Sequence, residues 1–131
     1  MTADAPTTTA PRIFPTVHYP DVEVGVAFLK EAFGFEEHVI YRDDAGKPVH
    51  TELRYGPSIL FVGADQSRAG TSTLYVAIDD ADAHCARAHA AGAEITVQPR
   101  DLDYGSRDYT ALDLAGNRWQ FGTYRPGAEG A

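Results

Sequence analysis

Cysteine is almost absent from this sequence. Of 131 residues only Cys85 is a cysteine, so an intrachain disulfide and a metal site built from several thiolates are both excluded. Long hydrophobic runs are also missing: no stretch approaches the length that spans a bilayer, and the N-terminus lacks the apolar core of a signal peptide. We therefore predict a cytoplasmic location and no membrane partner.

Positive charge is scarce as well. The chain has 11 Lys and Arg residues against 19 Asp and Glu residues, which gives a formal net charge of −8. This balance argues against nucleic acid or an anionic membrane as a partner, and it is compatible with a cationic or neutral ligand. Solubility alone is an alternative explanation of the acidic composition.

The chain repeats one pattern of predicted elements. The first half contains a strand at 12–19, a helix at 22–33 and strands at 35–42, 47–55 and 58–62; the second half contains a strand at 72–78, a helix from Asp79 or Asp80 to Ala91, and strands at 93–98, 108–112 and 117–123. Asp21 precedes the first helix as an N-cap, and glycines at 34 and 92 end the two helices. The equivalent signals lie 58 or 59 positions apart, which indicates an α+β fold of two βαβββ modules.

This repeat sets the predicted domain limits. They are a disordered arm at 1–11, the first βαβββ module at 12–63, a linker at 64–71, the second module at 72–124 and a disordered tail at 125–131. Neither module can cover its sheet alone, so we expect the two to form one structural domain.

Alternation along the strands divides each sheet into two faces. The residues predicted to face the core beneath the helices are Val17, Val49, Leu53, Val76, Ile78, Trp119 and Phe121. The other face is predicted to curve into a trough that mixes polar and aromatic groups, as a small-molecule cavity does, although a solvated sheet face would be equally polar. By parity this trough presents Phe14, Thr16, His18, His50, Glu52, Arg54, Ser58, Leu60, Thr73, Tyr75, Arg118 and Gln120.

Several motifs together resemble those of the vicinal oxygen chelate superfamily, which includes glyoxalase I, extradiol dioxygenases, and fosfomycin- and bleomycin-resistance proteins. The motifs are Asp21 before a helix that ends Ala32-Phe33-Gly34-Phe35, Ile78-Asp-Asp before the second helix, Ala91-Gly92-Ala93, and Tyr104-Gly-Ser-Arg continuing into Asp113-Leu-Ala-Gly-Asn-Arg-Trp-Gln-Phe. The sequence is most similar to the bleomycin-resistance-like branch. The resemblance implies an open, U-shaped barrel of paired modules, in a homodimer with cavities near the subunit interface.

Metalloenzymes of this superfamily take ligands from four places, which the resemblance assigns here to Phe14, Leu60, Thr73 and Gln120. Phenylalanine and leucine have no ligand atom, and threonine and glutamine are poor ligands for a divalent metal. We therefore expect no metal cofactor at this site. A displaced site using His18, His50 and Glu52 is an alternative, and so is a simple hydrogen-bonded pair at His50 and Glu52. The other histidines, His38, His84 and His89, are predicted to lie on the surface.

These considerations predict a metal-free binding protein that sequesters an aromatic natural product or antibiotic, neutral or cationic, and so confers resistance. Phe14, Tyr75, Tyr104 and Tyr109 would stack on the ligand. The full set of candidate ligand-binding residues is Phe14, Thr16, His18, His50, Glu52, Leu60, Thr73, Tyr75, Tyr104, Tyr109, Arg118 and Gln120.

Two other functions remain open at this point. The first is a glyoxalase-type, lactoylglutathione-lyase-like enzyme that uses a displaced metal or acid–base chemistry at His50 and Glu52. The second is a dimer whose trough has no ligand. No Gly-x-Ser-x-Gly motif, phosphate-binding loop or dinucleotide fingerprint is present to support another enzyme class.

Overall fold

The computed structural model describes residues 11–128, which form two four-stranded sheets with one helix packed on each. The strands are β1 (Thr16–His18), β2 (Glu36–Arg42), β3 (Pro48–Tyr55), β4 (Ser58–Gly63), β5 (Thr73–Ala77), β6 (Glu94–Asp101), β7 (Arg107–Leu112) and β8 (Arg118–Gly122). The helices are α1 (Val22–Phe28), which continues as a π turn over Leu29–Phe33, and α2 (Ala81–Ala90). The predicted α+β fold of two βαβββ modules is confirmed.

The two sheets have the same topology. Their strand orders are β1-β4-β3-β2 and β5-β8-β7-β6, and in each the first strand pairs in parallel with the last while the other pairs are antiparallel. The strands β1 and β5 therefore lie at sheet edges, each with one hydrogen-bonded neighbour.

Both helices begin and end near the predicted residues. The Asp21 carboxylate accepts a hydrogen bond from the amide of Val24, and the Asp80 carboxylate accepts one from the amide of Ala83. Gly34 ends the π turn with a φ of 86°, a conformation that glycine adopts without strain. The last turn of the first helix is thus a π turn rather than a continuation of the α-helix.

The strands differ from the prediction mainly at their ends. The strand β1 covers three residues instead of eight, and β6 extends to Asp101 through a segment predicted as a loop. Most of the predicted arm and part of the predicted tail, residues 1–10 and 129–131, lie outside the described residues. Within residues 11–128, no helix is long and apolar enough to cross a membrane.

A single core lies between the two helix-covered sheet faces. The ring of Phe33, from the first module, lies 5.2 Å from that of Trp119 and 4.8 Å from that of Phe121, both in the second. The His84 Nε2 atom on α2 lies 3.0 Å from the Phe33 carbonyl oxygen, and the Arg87 guanidinium donates to the carbonyl of Glu31. Packing of apolar rings across the module boundary makes the two modules one structural unit.

The carboxylate of Asp113 ties the modules together at one end of this core. It is buried in the turn between β7 and β8 and accepts hydrogen bonds from the Tyr19 hydroxyl at 2.6 Å and the Trp119 indole at 2.9 Å. The side-chain amide of Asn117 and the backbone amides of Ala115 and Asn117 also donate to it. A buried carboxylate needs this many donors to replace its lost hydration.

The two sheets each have a face that no helix covers. We call them the first open face, on the sheet of β1–β4, and the second open face, on the sheet of β5–β8. Within the described residues, no hydrogen bond or ring contact joins the predicted trough residues of one open face to those of the other. The ring contacts that join the two modules lie on the covered faces, so the two open faces are described below one at a time.

Candidate ligand-binding faces

The first open face presents a row of aromatic and imidazole rings. Strand pairing sets Phe61 beside Thr16 on one side and Glu52 on the other. The Phe61 ring lies 5.9 Å from that of Phe14 and 5.5 Å from that of His50, and the His50 ring lies 5.9 Å from that of Tyr41. We call Phe14, Phe61, His50 and Tyr41 the ring row. Since Tyr41 is 61% exposed and Phe14 40% exposed, the row is open to a ligand.

A carboxylate lies beside this row. The Glu52 Oε2 atom is 2.7 Å from His50 Nε2, and its Oε1 atom is 3.9 Å from His38 Nε2. Arg54, on the same strand, forms its ion pair with Glu36 instead. Glu52 is thus a half-buried acid whose neighbours on the open face are imidazoles, which gives the ring row a negative edge.

His18 closes one end of the first open face. Its Nδ1 atom accepts a hydrogen bond from the amide of Asp65, and its ring lies against Gly63. A Cβ atom at position 63 would be 2.5 Å from the imidazole, so only glycine allows this contact. The imidazole of His18 is held by the linker and does not join His50 and Glu52 in a common cluster.

The second open face carries hydrogen-bonded polar groups in place of rings. Asp108 is 5% exposed, and its carboxylate accepts hydrogen bonds from the Ser106 hydroxyl and, at 2.8 Å, from the Gln120 amide. Thr110 and Gln120 lie opposite each other on β7 and β8. Thr73 and Arg118, paired at the start of β5 and β8, are exposed. This face is therefore more sheltered than the first at its centre.

Tyr75 and Tyr104 border the second open face. The Tyr75 hydroxyl donates to the Tyr124 carbonyl at 2.6 Å, and burial raises the pKa of this phenol. A Cβ atom at position 122 would overlap both the Tyr75 hydroxyl and the Asp108 carboxylate, so Gly122 permits their close approach to the sheet. Tyr104, in the loop before β7, is 63% exposed and packs edge-on against Tyr124.

Two predicted ligand-binding residues lie in the core instead. Leu60 pairs with Leu53 on the covered face and is 3% exposed. Tyr109 pairs with Phe121, also on the covered face, and its hydroxyl contacts His84 Nδ1 at 2.5 Å. The parity assigned to β4 was wrong by one residue, which also moves Ser58 to the covered face with Tyr55.

The open faces contain residues that the sequence interpretation missed. Phe61 occupies the place given to Leu60, and Asp108 and Ser106 form the polar centre of the second face. The repeat could have identified Phe61, because Gln120 was assigned to the open face and Phe61 lies 59 positions before it. No comparable sequence signal marks Asp108, because an aspartate near the start of a predicted strand is expected to be exposed to solvent.

The positions that the resemblance assigns to metal ligands do not fit a divalent metal. Phe14 and Leu60 offer no donor atom, and Leu60 faces the core. The Gln120 side chain already donates to Asp108. Among residues 11–128, no group of three or more His, Cys, Asp or Glu side chains is arranged to hold a metal ion.

Comparison with known proteins finds a matching family and several solved structures with a similar fold. A family model described as Glyoxalase/Bleomycin resistance protein/Dioxygenase superfamily matches residues 14–121. Among solved structures, TioX from Micromonospora sp. ML1 is 28% identical with a TM-score of 0.75, and the alignment covers 88% of this chain and 99% of TioX. A glyoxalase/bleomycin resistance protein from Streptomyces sp. CB03234 is 21% identical with a TM-score of 0.68, covering 82% of this chain and 96% of that one.

A further glyoxalase/bleomycin resistance protein, from Catenulispora acidiphila DSM 44928, is 21% identical with a TM-score of 0.65, and the alignment covers 84% of this chain and 95% of that one. These last two likenesses concern the fold alone. No curated protein matches the sequence. The family match spans nearly all of both modules, and the chain belongs to the glyoxalase/bleomycin resistance protein/dioxygenase superfamily.

Proposed function

We propose that this protein binds an aromatic, cationic small molecule on its open faces and sequesters it without a metal, as an antibiotic-binding protein would. The observation that carries the proposal is the ring row, in which four rings follow one another at 5.5–5.9 Å on an exposed sheet face. A flat ligand can stack on such a row, and each aromatic pair contributes roughly 0.5–1.5 kcal/mol beyond its buried area.

The charges near the rings support a cationic ligand. The Glu52 carboxylate lies beside the row, and the whole chain carries a formal charge of −8. A cation is attracted both by the acidic surface and by the faces of aromatic rings. His50 and Glu52 then orient the ligand through hydrogen bonds at the edge of its ring system.

A homodimer is part of this proposal. The edge strands β1 and β5 each have an unpaired side, and Ile13, just before β1, is 89% exposed. Association of β1 of one copy with β5 of the other would be closed by two-fold symmetry. It would bring the first open face of one protomer toward the second open face of its partner, so that Tyr75, Tyr104, Thr73, Arg118 and Gln120 complete the cavity.

Proflavine, a planar tricyclic cation, and 9-anthracenecarboxylate, a planar tricyclic anion, test the ligand class by fluorescence titration. We expect saturable binding of proflavine and at least tenfold weaker binding of the anion. Phe14→Ala and Phe61→Ala should each weaken proflavine binding roughly two- to tenfold. Val49→Ala is the control, because Val49 is 65% exposed on β3 and takes no part in the ring contacts of the ring row.

Equal binding of the two probes would contradict the preference for cations, and unchanged affinity in both phenylalanine variants would contradict stacking on the ring row. Sedimentation equilibrium tests the dimer. If the protein is a monomer at concentrations where it binds proflavine, one chain is sufficient for binding and the dimer part of the proposal is wrong. Sequestration also predicts that cells producing the protein in their cytoplasm tolerate a toxic ligand of this class, with no ligand turnover.

The contact between His50 and Glu52 favours one alternative, a glyoxalase-type enzyme. A carboxylate hydrogen-bonded to an imidazole at 2.7 Å is able to take a proton from carbon and return it to the neighbouring atom. The hemithioacetal of methylglyoxal and glutathione is the substrate to test. Formation of the thioester that Glu52→Gln abolishes and Val49→Ala leaves unchanged would establish the enzyme over the binding protein.

A further inference from the structure

A cleft of about 450 Å³ lies between the two modules, and most of its apolar walls come from covered-face residues, with Tyr75 at the side next to the second open face. It lies between the β3–β4 turn and β5, and none of its lining residues belongs to a helix. Its walls include Phe35, Tyr55, Leu60, Leu74, Val76 and Trp119. We call it the seam cleft. Its volume falls within the range of small-molecule sites, about 300–1,000 Å³.

The seam cleft leaves apolar surface exposed where the fold would be expected to bury it. Leu74 and Val76 share the covered face with Trp119 and Phe121, yet both remain half-exposed, whereas Trp119 and Phe121 are fully buried. The two helices cover the other ends of the sheets and do not extend over this part of β5. Transfer of an apolar ligand into the cleft would remove this surface from water.

The mouth of the seam cleft offers one hydrogen-bond donor. Burial, and then the carboxylate of Asp79, raise the pKa of Tyr55, so its hydroxyl stays protonated at neutral pH. Within the described residues this hydroxyl has no hydrogen-bond partner, while the ring is held 5.4 Å from that of Phe35. A hydroxyl at the rim of an apolar cleft is placed to donate to a ligand acceptor.

The charges at the mouth cancel. Arg125 forms an ion pair with Asp79 at 3.2 Å, and both residues line the opening. A charged ligand would have to compete with this pair, whereas a neutral one would leave it intact. The mouth thus disfavours the cationic ligand that the ring row favours.

We propose that the seam cleft is a second ligand site, which binds a neutral, flat, apolar molecule of two or three fused rings whose carbonyl oxygen accepts a hydrogen bond from Tyr55. The walls of the site supply apolar contact on both sides of the rings, and the acceptor fixes the ligand's orientation. The cleft contains no ring-row residue, so binding there does not depend on stacking at the ring row. Its lining does include Pro15 and several residues of β5, so the β1–β5 dimer of the proposed function would form beside it.

Prodan, a neutral naphthalene with a ketone group and polarity-sensitive fluorescence, is the probe. Titration of the full chain should give saturable, blue-shifted emission. Val76→Trp fills the cleft and should abolish this signal, whereas Val49→Trp, the same change at an exposed position outside the cleft, should leave it unchanged. Tyr55→Phe should weaken binding about three- to tenfold, as expected for the loss of one hydrogen bond.

Circular dichroism and the melting temperature establish that each variant is folded, and Leu74→Phe is a smaller filling change should Val76→Trp unfold the protein. Absence of saturable binding, or binding that both filled variants retain, would overturn the proposal. So would a prodan affinity lowered by Phe14→Ala, since the probe would then lie on the ring row. Binding that weakens as protein concentration rises would show that a second copy covers the cleft instead. Proflavine titration of the same variants reports separately on the open faces.

Discussion

The two modules have the same backbone plan and carry opposite chemistry on their open faces. Pairing with the closing strands makes Phe61 equivalent to Gln120, and His50 equivalent to Asp108. The first face therefore holds exposed rings, while the second holds a buried carboxylate bonded to Ser106 and Gln120. The same topology therefore presents two chemically different open faces.

The covered faces show no such divergence. Leu60 and Trp119 occupy equivalent positions, and both are buried apolar residues. Both faces pack into the same core, so any change there alters the packing of both modules. The open faces carry no such constraint, and differences in ligand chemistry can accumulate on them. The comparison places the shared core on one side of each sheet and the divergent residues on the other, which is where the proposed function puts the ligand.

Trp119→Ala is the strongest test of that division. The side chain is fully buried, contacts Phe33 and Phe35 from the first module, and donates to Asp113. We expect the free energy of unfolding to fall by about 3–5 kcal/mol. Urea denaturation measures this loss. Phe14→Ala is the comparison variant, and an equal loss there would show that the division of faces is wrong.

Leu60→Ala and Phe61→Ala sharpen the comparison within one strand. Leu60 lies in the core, so its truncation should lower the free energy of unfolding by about 2–3 kcal/mol. This is the lower end of the range for buried Leu→Ala changes, because Leu60 borders the seam cleft. Phe61 lies on the open face, and its truncation should cost about 1 kcal/mol. Chemical denaturation of the two variants checks the register of β4, and the reverse order of effects would contradict it.

Asp108→Ala and His50→Ala compare equivalent positions on the two open faces. Loss of the Asp108 carboxylate leaves the donors of Ser106 and Gln120 without their acceptor in a sheltered place, which should cost about 1–3 kcal/mol. Loss of the exposed His50 ring should change stability by less than about 0.5 kcal/mol. Thermal unfolding of both variants would refute the contrast if the two losses were equal.

The smallest expected effect concerns His84, which contacts both modules. Burial lowers the pKa of this imidazole below 6.5, so the folded state favours the neutral form. Its contribution to stability is full above about pH 6.5 and is lost as the pH falls through the lowered pKa. Unfolding takes up at most one extra proton at this site, so the effect of pH on stability is small. Melting temperatures from pH 7.5 to 5 should fall less in His84→Gln than in the wild type, and parallel curves would contradict the assignment.

Much of the fold was predictable because its signals are local. Asp21, Gly34 and Gly92 mark the helix ends through capping and left-handed geometry, which depend on neighbouring residues only. The face of β4 was also predictable in principle. A two-residue turn sets Tyr55 and Ser58 opposite each other, so both share the face of Leu53, as does Leu60.

The rest depends on contacts between distant segments. His84 was predicted on the surface, and only packing against Phe33 and Phe121 makes it partly buried. The ring row likewise joins rings on β2, β3 and β4 with Phe14, which precedes β1. Strand parity also cannot say which faces of two sheets meet, because that depends on contacts between the modules.

The linkage through Asp113 has a consequence for the whole polypeptide. The Tyr19 hydroxyl, from the first module, donates to the Asp113 carboxylate in the turn between β7 and β8. If the gene were cut at Gly70, the Asp113 carboxylate would keep its bond from the Trp119 indole but lose the one from Tyr19. Each half expressed alone should fail to form a cooperative native state. Mixed together, the two halves should recover it, with Tyr19 as the residue on which that complementation depends.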